Sequence, residues 1–167
     1  MRRIVILGFM GSGKTTVGEA LARQLACNFV DLDSFITARQ RRSPAEIIQA
    51  DGETSFREVE TLALGEVLED RHAEVIALGG GTWTTPANRL LIALHDCLSI
   101  WLNVPFELCW SRITGNPEII RPMAPDRNTG ETRFELRRKD YVLAELQVSV
   151  SESESAETIA ANILRQL

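Results

Sequence analysis

The chain has 167 residues, 44% hydrophobic and 25% charged, with a mean hydropathy of -0.05, a balance that excludes a disordered tail, a collagen-like fibre and a membrane bundle. Its 18 Lys and Arg against 23 Asp and Glu leave a formal charge of -5, which argues against a protein that coats nucleic acid or an anionic membrane. Any anion is therefore gripped locally, and because Lys14 and Lys139 are the only lysines, where each falls is informative.

The length suits one domain over 1–167. Cys27, Cys97 and Cys109 are odd in number and widely spaced, fitting neither a disulfide framework nor a zinc site, and read as core thiols in a reducing cytoplasm. No segment approaches the roughly 20 apolar residues of a membrane-spanning helix. The chain is read as a cytoplasmic monomer.

In chain order, Arg3 to Gly8 is a β-branched apolar run ending in glycine, the pattern of a strand buried on both faces. A glycine-rich turn leads to a helix from Lys14 to about Ala26, with Val17, Leu21 and Leu25 at helical spacing, and Asn28 to Asp33 reads as a second strand. Ser43-Pro44-Ala45-Glu46 joins an N-cap serine, proline at the first helical position and a capping-box glutamate, so a short helix should start there, with a longer one from about Thr54 to Glu69. Glu74 to Gly79 predicts a buried strand and Thr85-Pro86 a helix start. Then come a strand from Cys97 to Leu102, helices from Pro105 to about Ile113 and from Glu131 to Leu143, a strand from Gln147 to Val150, and a last helix capped by Ser155. Alternation of this kind predicts a three-layer α/β/α fold with a parallel sheet and ligands at the carboxyl ends of its strands. The exception is Thr114 to Gly130, with three of the six prolines and no apolar period; a lid over about 113–128 is expected there.

Gly8-Phe-Met-Gly11-Ser12-Gly13-Lys14-Thr15 matches G-x-x-x-x-G-K-[ST] between a predicted strand and a predicted helix, as the phosphate-cradling mechanism demands. Glycines let backbone N–H groups turn toward phosphate oxygens, the helix N-terminus adds partial positive charge, Lys14 reaches the terminal oxygens, and the Thr15 hydroxyl can ligate magnesium. A nucleoside triphosphate with Mg²⁺ is the expected ligand. Neither lysine follows an asparagine, so the base reader of a GTPase is missing, and the size excludes a large motor ATPase; a small metabolite or nucleotide kinase remains.

Asp31 and Asp33, two apart at a strand end, would share a face beside this loop. Either can hold Mg²⁺ through water while the other binds an acceptor hydroxyl, and a merely capping pair is the alternative. Gly79-Gly80-Gly81 is an unfavourable run unless the backbone must approach something closely. Arg57 and Glu60 share one helix surface, where spacing alone favours an exposed ion pair over a carboxylate-binding arginine. Trp83, Trp101, Trp110 and Tyr141 read as core or pocket wall.

Taken together, GFMGSGKTTVG, FVDLDSFI, SPAEIIQADGETSFREVE, ALGGGTWT, the pair Arg121-Pro122 and RRKDY, in this order, resemble shikimate kinase of the nucleoside-monophosphate-kinase-like group over nearly the whole chain. The resemblance implies a five-stranded sheet and MgATP-dependent phosphorylation of the shikimate 3-hydroxyl. By the same resemblance Gly11, Ser12, Gly13, Lys14, Thr15 and Thr16 bind phosphates, Thr15 and Asp31 serve the metal, and Asp33 contacts the acceptor hydroxyls. Arg57 and Arg137 would clamp the acceptor carboxylate, Gly79, Gly80 and Gly81 supply backbone contacts, Arg121 reaches the phosphates from the lid, and Arg112 lies on adenine. Another hydroxy-acid kinase of the gluconate type, or an ATP-binding module without transfer, are the alternatives. Trp83 is bulkier than the residue the family carries there and would narrow the acceptor pocket if it faced inward. Ser151 to Ser155 lacks the basic or proline residues some members carry around adenine.

Overall fold

The computed structural model describes residues 2–115 and 123–167. Five parallel strands, β1 (Arg3–Leu7), β2 (Phe29–Asp31), β3 (Val75–Ala77), β4 (Cys97–Asn103) and β5 (Leu146–Ser149), form one sheet in the order β2-β3-β1-β4-β5. β1 is central: Val5 faces Ile76 on one side and Ser99 on the other, and Ile4 to Leu7 are fully buried, the reason this run is apolar on both faces. β2, at an edge, is only half-buried.

Among the described residues seven α-helices accompany the strands: α1 (Lys14–Leu25), α2 (Leu32–Gln40), α3 (Pro44–Asp70), α4 (Pro86–Leu94), α5 (Phe106–Thr114) and α6 (Arg127–Tyr141) between them and α7 (Ala156–Leu164) after the last. α1 and α7 pack on each other, and right-handed crossovers put α3 and α4 on the opposite face, giving three layers. The caps fall where the residue chemistry demands them. Ser43 and Glu46 form a reciprocal capping box with Pro44 in the first turn, and Ser155 Oγ accepts from the Thr158 N–H.

Two helices were expected in the region of α3, and the run from Pro44 to Asp70 is indeed interrupted: Gly52 sits at φ 87 and ψ 164, a conformation that favours glycine, so the chain bends there. Elsewhere local chemistry moves boundaries. Asp31 was expected with Asp33 on a strand end; instead the Asp31 carboxylate accepts from the Ser34 N–H at 2.9 Å, caps α2 and stops β2, which puts Asp33 in the first turn of a helix. Asp126 caps α6 through the Thr129 N–H, so that helix starts at Arg127, ahead of the expected Glu131. Thr114 ends α5 and Arg127 opens α6, so the expected lid interval of 113–128 overlaps a helix at each margin.

Candidate active site

The carboxyl ends of β1, β2 and β3 converge, bringing together the phosphate loop, the Asp31–Asp33 corner and the glycine turn. Gly11 and Gly13 hold φ of 77 and 87, and a Cβ on Gly11 would stand 2.6 Å from the Cys109 carbonyl oxygen, so the loop tolerates no side chain there. The N-terminus of α1 has no side-chain cap: Gly13 offers none, and no acid lies in the first turn. Its free amides and dipole face outward, an anion site made of main chain. Ser12 is buried with its Oγ unpartnered, and Thr16 is exposed in the first turn of α1.

Lys14 folds back over the loop, its Nζ donating to the Phe9 carbonyl at 2.9 Å. Burial lowers its pKa to about 8 against the upward pull of Asp33 and Asp31, so the ammonium stays charged at neutral pH with less margin than an ordinary lysine. Thr15 Oγ1 donates to Asp31 Oδ2 at 2.6 Å. One hydroxyl and one carboxylate beside a phosphate cradle are hard oxygen donors too few for an all-protein cage; they fit Mg²⁺, which keeps several waters and shares phosphate oxygens. No group of three or more His, Cys, Asp or Glu among the described residues could hold a metal unaided. Arg112, exposed at the end of α5, donates from Nη1 to the Gly11 carbonyl at 3.2 Å.

Beside the loop a cavity of about 560 Å³ is lined by Met10, Asp33, Phe56, Arg57, Glu60, Gly79, Gly80, Gly81 and Arg137, with Met123 and the first turn of α3 at its margin. The three glycines are bare because side chains crowd them. A Cβ on Gly79 would stand 2.8 Å from both Asp33 Oδ1 and Glu60 Oε1, one on Gly80 3.2 Å from Arg137 Nη1, and one on Gly81 would collide with the Arg57 guanidinium. Close approach, expected from the glycine run, is thus approach to charged side chains of the site itself.

Arg57 and Glu60 are not the exposed helix pair that spacing favours. Glu60 is completely buried; its Oε2 accepts from Arg57 Nη1 at 2.7 Å and its Oε1 from Thr82 Oγ1 at 2.6 Å. Burial pulls the Arg57 guanidinium down, but Glu60 and Glu53 more than offset it, leaving Arg57 above the ordinary arginine value. Arg137, 7% exposed, has Nη1 buried without a hydrogen-bond partner, and burial drives it below the usual arginine range. A buried cation with an unused donor is suited to an anionic oxygen. Tyr141, its pKa raised to about 12 by burial, donates to the Gly80 carbonyl at 2.5 Å and ties α6 to the turn.

The described residues expected to serve the nucleotide, the metal or the acceptor border the loop or the cavity. Arg121 and Pro122 lie outside the described residues. Trp83 does not narrow the cavity: it is buried toward α6, its Nε1 donating to the Asp140 carbonyl at 2.9 Å. Cys97 and Cys109 are buried and Cys27 partly so, all as free thiols. Sequence reasoning missed Met10 and Phe56 as walls and the depth of Glu60; Phe56 beside Arg57 on the buried face of α3 was the available signal.

The shikimate kinase family model matches residues 10–167. A shikimate kinase of Synechococcus elongatus is 39% identical over 163 residues, covering 96% of this chain and 84% of that protein. Among solved structures, the shikimate kinase of Acinetobacter baumannii in complex with shikimate superposes with a TM-score of 0.88 at 29% identity, covering 99% of this chain and 93% of the other. A gluconokinase of Sinorhizobium meliloti shares the fold alone, with a TM-score of 0.64 and 20% identity over 99% of this chain and 93% of its own. With its phosphate loop, its five-stranded parallel sheet and these likenesses over nearly its full length, the chain belongs to the shikimate kinase family.

Proposed function

We propose that the chain transfers the γ-phosphoryl group of ATP to the 3-hydroxyl of shikimate, giving shikimate 3-phosphate and ADP, the step that feeds chorismate and aromatic amino-acid synthesis. The observation that carries this reading is one cavity in which Asp33, Arg57, Arg137 and Gly79 to Gly81 stand side by side against the phosphate loop. An acceptor with a carboxylate at one end of a small ring and a hydroxyl at the other fits that arrangement.

In this reading the amides of Gly11, Ser12, Gly13, Lys14, Thr15 and Thr16 hold the triphosphate, and the Lys14 ammonium bears on the transferring group, joined by Arg121. Arg112 flanks the nucleotide from α5. Thr15 and Asp31 would hold Mg²⁺, which, when bound, neutralises charge on the phosphate oxygens. Asp33 accepts the hydroxyl proton as the new O–P bond forms and the bond to ADP breaks. Arg57 and Arg137 take the carboxylate in charge-assisted hydrogen bonds, with Glu60 fixing the Arg57 plane. Catalysis is then mostly positioning and charge stabilisation. We infer a cytoplasmic monomer, in keeping with three free thiols; gel filtration at a single-chain volume tests the assembly.

Initial-rate ADP release with shikimate varied at fixed MgATP is the test, with gluconate in parallel. Saturable release with shikimate and none above background with gluconate is expected. Release driven by gluconate and not by shikimate would reject the assignment.

A further inference from the structure

On the outer side of Arg57 and Arg137, between α3 and α6, lies a second groove of about 540 Å³ whose lining includes Glu53, Arg57, Arg133, Leu136, Arg137 and Asp140. Arg57 meets two carboxylates of unequal standing. Glu60 is fully buried and bonded on both oxygens, so it is fixed. Glu53 has a side chain 45% exposed and shares one oxygen, Oε1, between Arg57 Nη2 at 3.3 Å and Arg133 Nη1 at 3.6 Å. Arg133 also carries a buried Nε with no hydrogen-bond partner, an unspent donor on the same guanidinium.

An acceptor carboxylate that needs the Arg57 fork competes with Glu53, and not with Glu60, because Glu53 is the solvated and longer contact. We propose that Arg133 is a positioning residue that draws Glu53 off Arg57, and that the Glu53–Arg133 pair thereby sets how readily Arg57 engages the acceptor carboxylate. This rests on the reading of Arg57 given above. Charge arithmetic supports it. Arg57, Arg133 and Arg137 line one corner, and Glu53 is the half-exposed negative charge between Arg57 and Arg133; shifting it toward Arg133 clears Arg57 while leaving the cluster's total unchanged. Asp140, the other carboxylate on this groove, is held by Arg89 at 3.2 Å and is not available for that part.

The test is steady-state kinetics with shikimate and MgATP varied separately for Glu53→Gln, Arg133→Met, Arg133→Lys and the double variant Glu53→Gln/Arg133→Met. Glu53→Gln removes the competitor and should lower the shikimate KM by about two- to threefold, the scale of a partly exposed ion pair. Arg133→Met leaves Glu53 on Arg57 and should raise it by about threefold. Arg133→Lys keeps the charge and should restore most of the loss. Since Arg133 acts through Glu53, the double variant should match Glu53→Gln alone. kcat and the MgATP KM should stay within about twofold throughout. A merely structural role would raise the shikimate KM in both single variants, and a diffuse field effect would raise it equally with or without Glu53; either result overturns the proposal. If Arg57→Ala itself leaves the shikimate KM unchanged, it is the Arg57 reading that fails; if Arg57→Ala raises it while Glu53→Gln and Arg133→Met do nothing, this inference alone falls.

Discussion

The proposed donor end is built mainly on one short run, Gly8 to Thr16, with its backbone amides and the Lys14 ammonium, whereas the proposed acceptor wall takes charged side chains from α2, α3 and α6 and packs them on a bare glycine turn. The two ends meet opposite physical problems. At the loop the helix dipole supplies the positive field without burying an ion, and the single ammonium there is pushed down to about 8 by burial. At the wall a fully buried carboxylate, Glu60, fixes a guanidinium and keeps it above its ordinary value. Backbone recognition suits phosphate, which every nucleotide brings; side-chain recognition suits a carboxylate whose position distinguishes one hydroxy acid from another.

The largest break in that contrast is expected from Lys14→Met, which should reduce kcat by about 10²–10³-fold, since one charged donor to the transferring group is lost. The same change should not destabilise the fold. Because the pKa of Lys14 is lowered in the folded protein, its charged form costs stability below pH 8, a cost relieved as pH rises toward the ordinary lysine value. Thermal unfolding of Lys14→Met at pH 7 should therefore show a Tm equal to or a few degrees above that of the parent, the scale of about 1 kcal/mol in a chain of this size. A Tm well below the parent would mean the side chain is structural.

Next in size is Glu60→Ala. Leaving Arg57 and Thr82 without their buried partner should cost about 3 kcal/mol, a fall in Tm of roughly 6–12 °C, together with a raised shikimate KM. Unchanged thermal stability would show that Glu60 is not the anchor of the wall. Arg57→Ala should raise the shikimate KM by about 10–100-fold, the range of a charge-assisted pair of 1.5–3 kcal/mol, with the MgATP KM nearly intact; equal effects on both substrates would erase the division between donor and acceptor ends.

Near neutral pH the smallest effect is the pH dependence. With the Lys14 pKa near 8, kcat/KM for MgATP should be level below that value and fall by about tenfold per unit above it, as the free enzyme loses its ammonium. The shikimate KM, set by arginines, should not share that limb. A flat MgATP profile to pH 10 would contradict the assignment.

The two ends also differed in how far the residues alone revealed them. A contiguous loop between strand and helix declares itself, because glycine spacing, lysine and hydroxyl all lie in one window, and Gly11 and Gly13 do occupy the positive-φ positions the motif requires. The acceptor wall is assembled by tertiary contact. From spacing, Arg57 and Glu60 read as an exposed pair, since nothing local announces that Thr82 closes over Glu60 and buries it. Arg137 was assigned by resemblance only, as its burial depends on α6 docking through Tyr141 onto Gly80. Boundaries moved where a side chain chose its own cap: Asp31 ended β2 and placed Asp33 on α2, a competition between strand and N-cap that alternation of apolar residues does not register. The parallel sheet, by contrast, was legible in the alternation of strands and helices, since parallel neighbours need a crossover between them.

The central claim is tested most directly by a crystal structure of the ternary complex with shikimate and a non-transferable ATP analogue with Mg²⁺. The account predicts the acceptor carboxylate within hydrogen-bond distance of Arg57 and Arg137, the 3-hydroxyl beside Asp33, and the terminal phosphate on the Lys14 loop. A ring seated elsewhere, or a carboxylate held by other residues while those two guanidiniums face bulk water, would contradict it.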